Sequence, residues 1–170
     1  PEVMESAMAC SYLGAVFVPA NPVLKIRQLT HMLNDSRAIV LLTAESPAIQ
    51  LAELRRECPA LREIVFCGER RGQGGAVEYA RSSDYEDLVD AGAGAPAAAA
   101  IGRDPAAIFY TSGSTGKPKG VILSHDNLVA GARIVAGYLG NVADDRILAA
   151  LPLSFDYGFS QVTTALTAGA

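Results

Sequence analysis

Nothing in these 170 residues approaches the run of about 20 apolar residues that a membrane-crossing helix needs, and the longest Ala/Gly stretch, Ala91–Gly102, is broken by Pro96. Positive charge is not in excess either. Fourteen Lys+Arg stand against 18 Asp+Glu, a net charge of −4, whereas a non-specific nucleic-acid binder needs a basic stripe to meet phosphates. Metal-ligating residues are few: Cys10, Cys58 and Cys67 have no CxxC spacing, and the histidines are His31 and His125 alone. A structural zinc site needs four N/S ligands at close, regular spacing, so the thiols read as small buried residues of a reducing cytoplasm. The opening Pro1-Glu2-Val3-Met4-Glu5 has no basic and apolar leader, so no secretory signal is read. The chain starts without Met and stops at Gly169-Ala170 in mid-pattern, and is expected to be a fragment.

What is present suits a packed core: half the residues are apolar and only 19% are charged. Met4, Met8 and Tyr12 recur at helical spacing, with Gly14 placed to end the helix. Val16–Val18, closed by Pro19 and Pro22, is expected to be a buried strand. Leu24, Leu29, Met32 and Leu33 predict a second helix and Ala38–Leu42 a strand. Pro47, Ile49, Leu51 and Leu54 predict a third helix stopped by Pro59, and Ile64–Phe66 another strand. Short apolar strands between amphipathic helices predict an α/β fold, a mostly parallel sheet with helices on both faces. Three parts are expected: βα units over 1–68, a Gly/Ala/Arg-rich surface connection over 69–104 with at most a helical turn at Tyr85–Val89, and a third part over 105–170. In the last, strands are predicted at Ala107–Tyr110, Val121–Leu123 and Ile147–Leu151. Ser124 is a good N-cap for a helix running to about Leu139 with Leu128, Ala132, Val135 and Leu139 on one face, and a final helix is expected over Tyr157–Leu166.

One segment carries chemistry: Tyr110-Thr111-Ser112-Gly113-Ser114-Thr115-Gly116-Lys117-Pro118-Lys119-Gly120. Glycines let backbone N–H groups approach an anion, hydroxyls donate to phosphate oxygens, and lysines supply point charge. Composition alone leaves open a solvated Gly/Ser turn. Known phosphate motifs can be tested by counting. Gly113 is too close to Gly116 for a Walker loop, and Pro118 stands where Ser/Thr belongs; no GxGxxG or GxSxG occurs. The loop leads into a strand rather than a helix, so a cradle here must use backbone nests and side chains instead of a helix N-terminus.

Tyr110–Gly120 followed by Val121-Ile122-Leu123-Ser124-His125-Asp126-Asn127-Leu128 resembles the phosphate-binding motif of the AMP-forming adenylating enzymes: acyl-CoA synthetases, peptide-synthetase adenylation domains and luciferases. Ala15–Pro22, Leu29–Leu42 and Leu151–Gly158 resemble other segments of that family, so the likeness spans the chain outside 69–103. Ser154–Thr164 looks most like the acyl-CoA ligase group found beside exosortase systems.

The resemblance implies a partial N-terminal domain of an adenylate-forming ligase and a two-step reaction. A carboxylate attacks the α-phosphate of Mg-ATP to give an acyl-adenylate and pyrophosphate, and the thiol of CoA or of an acyl-carrier-protein phosphopantetheine then takes the acyl group. It implies that Thr111, Ser112, Gly113, Ser114, Thr115 and Gly116 wrap the β/γ-phosphates, with a lesser role for Lys117. Lys119 is the catalytic cation that neutralises the leaving pyrophosphate, and Thr111 is also the expected Mg²⁺ contact. The adenine site and a C-terminal lid with its own catalytic lysine are expected beyond residue 170, so this chain alone is expected to be inactive, and prone to association through open sheet edges.

Phe155 and Asp156 are the implied substrate residues. Many acyl-CoA synthetases carry a His at the position of Phe155, whereas Ser154-Phe155-Asp156 looks like the amino-acid-activating branch, in which the aspartate pairs with the substrate ammonium. Asp156 is alternatively only the N-cap of the last helix. His125, in a helix's first turn, is expected to make a structural contact rather than reach phosphate, and His31 to be a helix-surface or half-buried residue. Two rivals stay open: a non-catalytic module that binds a nucleotide or other polyanion through the same loop, and an unrelated α/β domain with an ordinary turn and no anion-sized concavity.

Overall fold

The computed structural model describes residues 1–44, 48–68, 82–92, 94, 97–111 and 117–170. Along the chain run α1 (Glu2–Leu13), α2 (Ile26–Asp35), β1 (Val40–Thr43), α3 (Ala48–Glu57), β2 (Glu63–Phe66), β3 (Ser82–Asp84), α4 (Tyr85–Asp90), β4 (Pro105–Thr111), β5 (Lys119–Ser124), α5 (His125–Leu139) and α6 (Asp156–Ala168). They form two compact units: Leu24–Ala95, and Pro1–Val23 together with Pro96–Ala170.

In the Leu24–Ala95 unit, β1, β2 and β3 make a parallel sheet in that order, with α3 crossing from β1 to β2. The central strand carries the buried apolar run, because a strand covered on both faces has no polar side to show. Ile64 and Phe66 pack with Leu33 of α2 and with Leu54, Cys58 and Leu61. Strand β3 was not legible in its sequence, Ser82-Ser83-Asp84. It is specified instead by its neighbour, since Ser83 Oγ donates to Glu63 Oε1 at 2.7 Å and Val65 is its register partner. The helical turn expected near Tyr85 is α4. Pro47, expected at the start of α3, lies outside the described residues.

In the other unit, β4 and β5 form an antiparallel hairpin, and Phe17 bridges to β4 at Ala107 in the parallel sense, so the pairing here is mixed. Ala107 and Phe109 on one face of β4 pack with Ala7 of α1 and Phe159 of α6, with Met4, Phe17, Leu123 and Leu128 around them. Three rings meet here. Phe159 lies 5.1 Å from Phe17 and 5.6 Å from Phe109, centroid to centroid, and such tilted and edge contacts add to the apolar burial.

Three expectations are corrected in this unit. The strand expected at Val16–Val18 is a single bridge, in which Phe17 N–H donates to Ala106 O and Phe17 O accepts from Ile108 N–H. The Ala15 amide is already committed to Cys10 O in the α1 cap, where Gly14 takes φ 67°, and Pro19 has no amide to offer. The strand expected at Ile147–Leu151 does not form, because a strand exists only as a member of a ladder and this segment has no ladder partner among the described residues. In α1, Met8 and Tyr12 are exposed, and Met4 and Ala7 face the core instead.

Helix α5 starts and stops as its sequence requires. Ser124 Oγ accepts from Asn127 N–H at 3.2 Å and the Asn127 side chain accepts from Ser124 N–H at 3.0 Å, a reciprocal cap. Gly140 closes the helix with φ 68°.

Candidate phosphate-binding hairpin and its neighbouring helix

Cα register in the hairpin runs Ile108↔Ile122, Phe109↔Val121, Tyr110↔Gly120 and Thr111↔Lys119. The Gly/Ser/Thr loop is therefore the connection between two paired strands, and its two ends are held opposite each other. Residues 112–116 of the loop, Ser112, Gly113, Ser114, Thr115 and Gly116, lie outside the described residues. Of the implied phosphate ligands, Thr111, Lys117 and Lys119 are described, and all three side chains are exposed. Among the described residues neither lysine is paired with a carboxylate, which leaves both cations available to an anion.

Alternation along β4 puts Thr111 on the same face as Phe109 and Ala107. Helix α6 packs on that face through Phe159, one turn beyond Asp156. The hairpin thus brings its loop ends and the start of α6 to one side of a single strand pair. The segment entering α6 is folded tightly: Phe155 N–H donates to Pro152 O at 3.1 Å, Leu151 N–H donates to Gln161 Oε1 at 3.3 Å, and buried Gly158 lies against the Leu151 and Pro152 carbonyls with no room for a Cβ. Phe155 is 53% exposed and occupies the N-cap position without a capping side chain. Asp156 is the first helical residue, one position later than the cap expected of it, and its Oδ1 accepts from Tyr157 N–H at 2.8 Å. A carboxylate in a helix's first turn is favoured by the helix dipole. Ser154, between Leu153 and Phe155, buries its hydroxyl without a hydrogen-bond partner among the described residues.

An open groove of about 570 Å³ lies between α5 and α6, lined by Leu128, Ala132, Val135 and Leu139 on one side and Asp156, Ser160 and Thr164 on the other. The four α5 residues are those that the periodicity places on one face.

His125 opens α5, just past the far end of β5. It lies six positions beyond Lys119, which at about 3.4 Å per residue is some 20 Å along the strand. Its backbone N–H donates to Asp104 O at 3.2 Å, and its Nε2 is buried without a hydrogen-bond partner among the described residues.

Among the described residues no group of three or more His, Cys, Asp or Glu could hold a metal ion. The donor set at the hairpin, a hydroxyl and two ammonium groups, is suited to phosphate. Magnesium takes oxygen ligands and commonly keeps waters and substrate phosphates in its shell, so the Thr111 hydroxyl fits as a single protein contact to a phosphate-bound ion.

The AMP-binding enzyme family matches residues 1–170, and the chain belongs to that family. It is 34% identical over 173 residues to indoleacetate–CoA ligase of Aromatoleum aromaticum, covering all of this chain and 32% of that ligase. It is 31% identical over 170 residues to a linear gramicidin synthase polypeptide of Brevibacillus parabrevis, of which it covers 2%. Among solved structures, the anthranilate CoA ligase AuaEII in complex with anthranoyl-AMP superposes with a TM-score of 0.87 at 27% identity, over 99% of this chain and 32% of that one. ATP-bound MatB from Rhodopseudomonas palustris gives 0.75 at 25% identity, with the same coverage. The chain spans about a third of the length of these ligases and a small part of the synthase. The fold is that of the N-terminal part of adenylate-forming ligases.

Proposed function

We propose that this chain is the phosphate-loop-bearing part of an ATP-dependent ligase that activates a carboxylic acid as its acyl-adenylate, releases pyrophosphate, and passes the acyl group to the thiol of CoA or of a carrier-protein phosphopantetheine. The pairing of Thr111 with Lys119 is the observation that carries this reading: a Gly/Ser/Thr loop is closed at its base by a hydroxyl and by an ammonium with no carboxylate partner among the described residues, on neighbouring strands. The family match and the ligand-bound relatives support it.

In this reading Thr111 and the loop residues Ser112–Gly116 hold the β- and γ-phosphates. Lys119 meets the charge that develops on the leaving pyrophosphate, and Lys117 lies further out. Mg²⁺, when bound with ATP at the Thr111 end, supplies charge neutralisation on the phosphate oxygens. No covalent enzyme intermediate is needed, so the chain's task is to orient reactants and stabilise developing charge. The start of α6 contributes to the carboxylate site. Phe155 walls the entrance, and Asp156 offers a carboxylate to an ammonium on the substrate, as in the amino-acid-activating branch that the gramicidin synthase likeness represents. The three cysteines are free thiols, which suits an ATP-using enzyme of the cytoplasm. Among the described residues no helix is long and apolar enough to cross a membrane.

The test is ATP–pyrophosphate exchange by the protein that carries this chain, over a panel of amino acids and simple carboxylic acids. Exchange that depends on one carboxylic acid class is expected; ATP binding without exchange for any acid would favour a non-catalytic nucleotide-binding module.

A further inference from the structure

Gly120 is the second residue of β5, inside the ladder, where glycine has no side chain to pack and weakens the pairing. Its backbone does not require glycine, since it is not among the positive-φ residues. What it requires is space. A Cβ at Gly120 would come within 2.7 Å of Ile108 Cγ2 and 3.2 Å of Tyr110 Cζ. Tyr110 is the direct register partner of Gly120, and its half-buried ring lies over the glycine across the ladder, an arrangement in which an aromatic side chain covers what glycine leaves open. By strand alternation this pair faces away from the side that carries Phe109, Thr111 and Lys119. It is also one pair in from the Thr111–Lys119 closure.

We propose that Tyr110 and Gly120 are a positioning pair for the phosphate hairpin: the bare glycine lets the Tyr110 ring and Ile108 close across the strands, and this fixes the register and twist with which Thr111 and Lys119 present the loop. The proposal rests on the adenylation reading for its effect on catalysis, though its effect on the ladder does not. Neither residue touches the phosphates. They act through the backbone pair next to them. A catalytic step that relies on alignment is sensitive to this, because a displacement of about 1 Å in a positioning element costs on the order of 10²-fold in rate.

The experiment uses the protein that carries this chain and compares Gly120→Ala, Tyr110→Ala and Tyr110→Phe with wild type, read in two ways. In amide hydrogen exchange, Gly120→Ala and Tyr110→Ala are expected to speed exchange at the loop end of the hairpin at least tenfold while leaving α5 unchanged; Tyr110→Phe keeps wild-type protection. In ATP–pyrophosphate exchange, the same two variants are expected to lose about 10²-fold in kcat, with KM for the carboxylic acid within twofold, and Tyr110→Phe to retain activity. Wild-type protection in Gly120→Ala overturns the proposal, as does equal loss in Tyr110→Phe and Tyr110→Ala, which would assign the role to the hydroxyl. An opened ladder with undiminished kcat overturns the positioning role. A wild-type protein that exchanges no pyrophosphate with any acid overturns the adenylation reading instead, while hydrogen exchange still decides whether the pair locks the ladder.

Discussion

Thr111 and Lys119 are the last register pair of the β4–β5 hairpin, so a hydroxyl and an ammonium stand on adjacent strands at the base of the loop. Strand pairing fixes this separation more firmly than a flexible loop could, and it places the positive charge at the base of the loop. Lys119 has no carboxylate partner among the described residues, so nothing described within the chain competes with an anionic ligand for it.

Lys119→Ala is accordingly expected to slow carboxylate-dependent ATP–pyrophosphate exchange by ~10² or more, since a charge-assisted contact to a phosphate is worth roughly 1.5–3 kcal/mol and the developing charge strengthens it. Lys117→Ala should cost less. Steady-state exchange rates for both variants test this, and a wild-type rate in Lys119→Ala removes Lys119 from the site.

Strands β4 and β5 and the start of α5 were legible because their signals are local: two short apolar runs, and Ser124 ahead of a helical stripe. What could not be read depended on partners elsewhere. Strand β3 has no apolar pattern and exists through its pairing to β2. Ile147–Leu151 has the apolar pattern but no ladder partner among the described residues. Val16–Val18 is reduced to Phe17 because the neighbouring Ala15 amide serves the α1 cap. Asp156 was placed one residue early because the ability to cap is a property of aspartate, whereas the register of the helix start is set by the Pro152–Phe155 turn and by Gly158 packed beneath it. The role of Gly120 was likewise hidden, since the ring that fills its space comes from the opposite strand.

Two helix glycines should respond oppositely to alanine. Gly137 in α5 has nothing within 4 Å of the position of a Cβ, so Gly137→Ala is expected to stabilise by about 0.5–1 kcal/mol through helix propensity. A Cβ at Gly158 in α6 would overlap the Pro152 carbonyl. Overpacking of this kind typically costs about 1–3 kcal/mol, which exceeds the propensity gain, so Gly158→Ala is expected to destabilise. Urea midpoints of the two variants settle the signs. Stabilisation by Gly158→Ala would mean that α6 does not hold the tight turn before it.

Burial pushes the Cys58 thiol up from its ordinary value, helped by the charge of Glu57, and burial alone does the same for Cys10. A raised thiol pKa means that the fold favours the protonated form. The stabilisation is complete below the unfolded thiol value, about 8.5, and is lost as pH rises from there through the raised folded values. Urea midpoints are expected to hold steady to about that pH and then fall, less steeply in Cys58→Ala. A profile with the same alkaline slope in both proteins would assign the loss to other groups.

The substrate class turns on Asp156. Its carboxylate accepts from Tyr157 N–H in the first turn of α6, and it also lines the groove between α5 and α6, so it can serve the helix and a ligand at once. The two roles separate on substitution. Asp156→Asn keeps an oxygen for the helix N–H but removes the charge, and a substrate ammonium brought to the rim of an apolar site then loses its counter-charge, a cost of several kcal/mol or less depending on how much water remains. If the ammonium pairing operates, Asp156→Asn is expected to lose pyrophosphate exchange by at least ~10-fold with amino acids while rates with acids lacking an amine are unchanged, which is the direction that charge-based selectivity demands. Urea midpoints of the variant should stay close to wild type, because the neutral amide oxygen still meets the Tyr157 amide. An enzyme that turns over only simple carboxylic acids and ignores the substitution would leave Asp156 with its helix contact alone, and Phe155 as the residue that shapes the entrance.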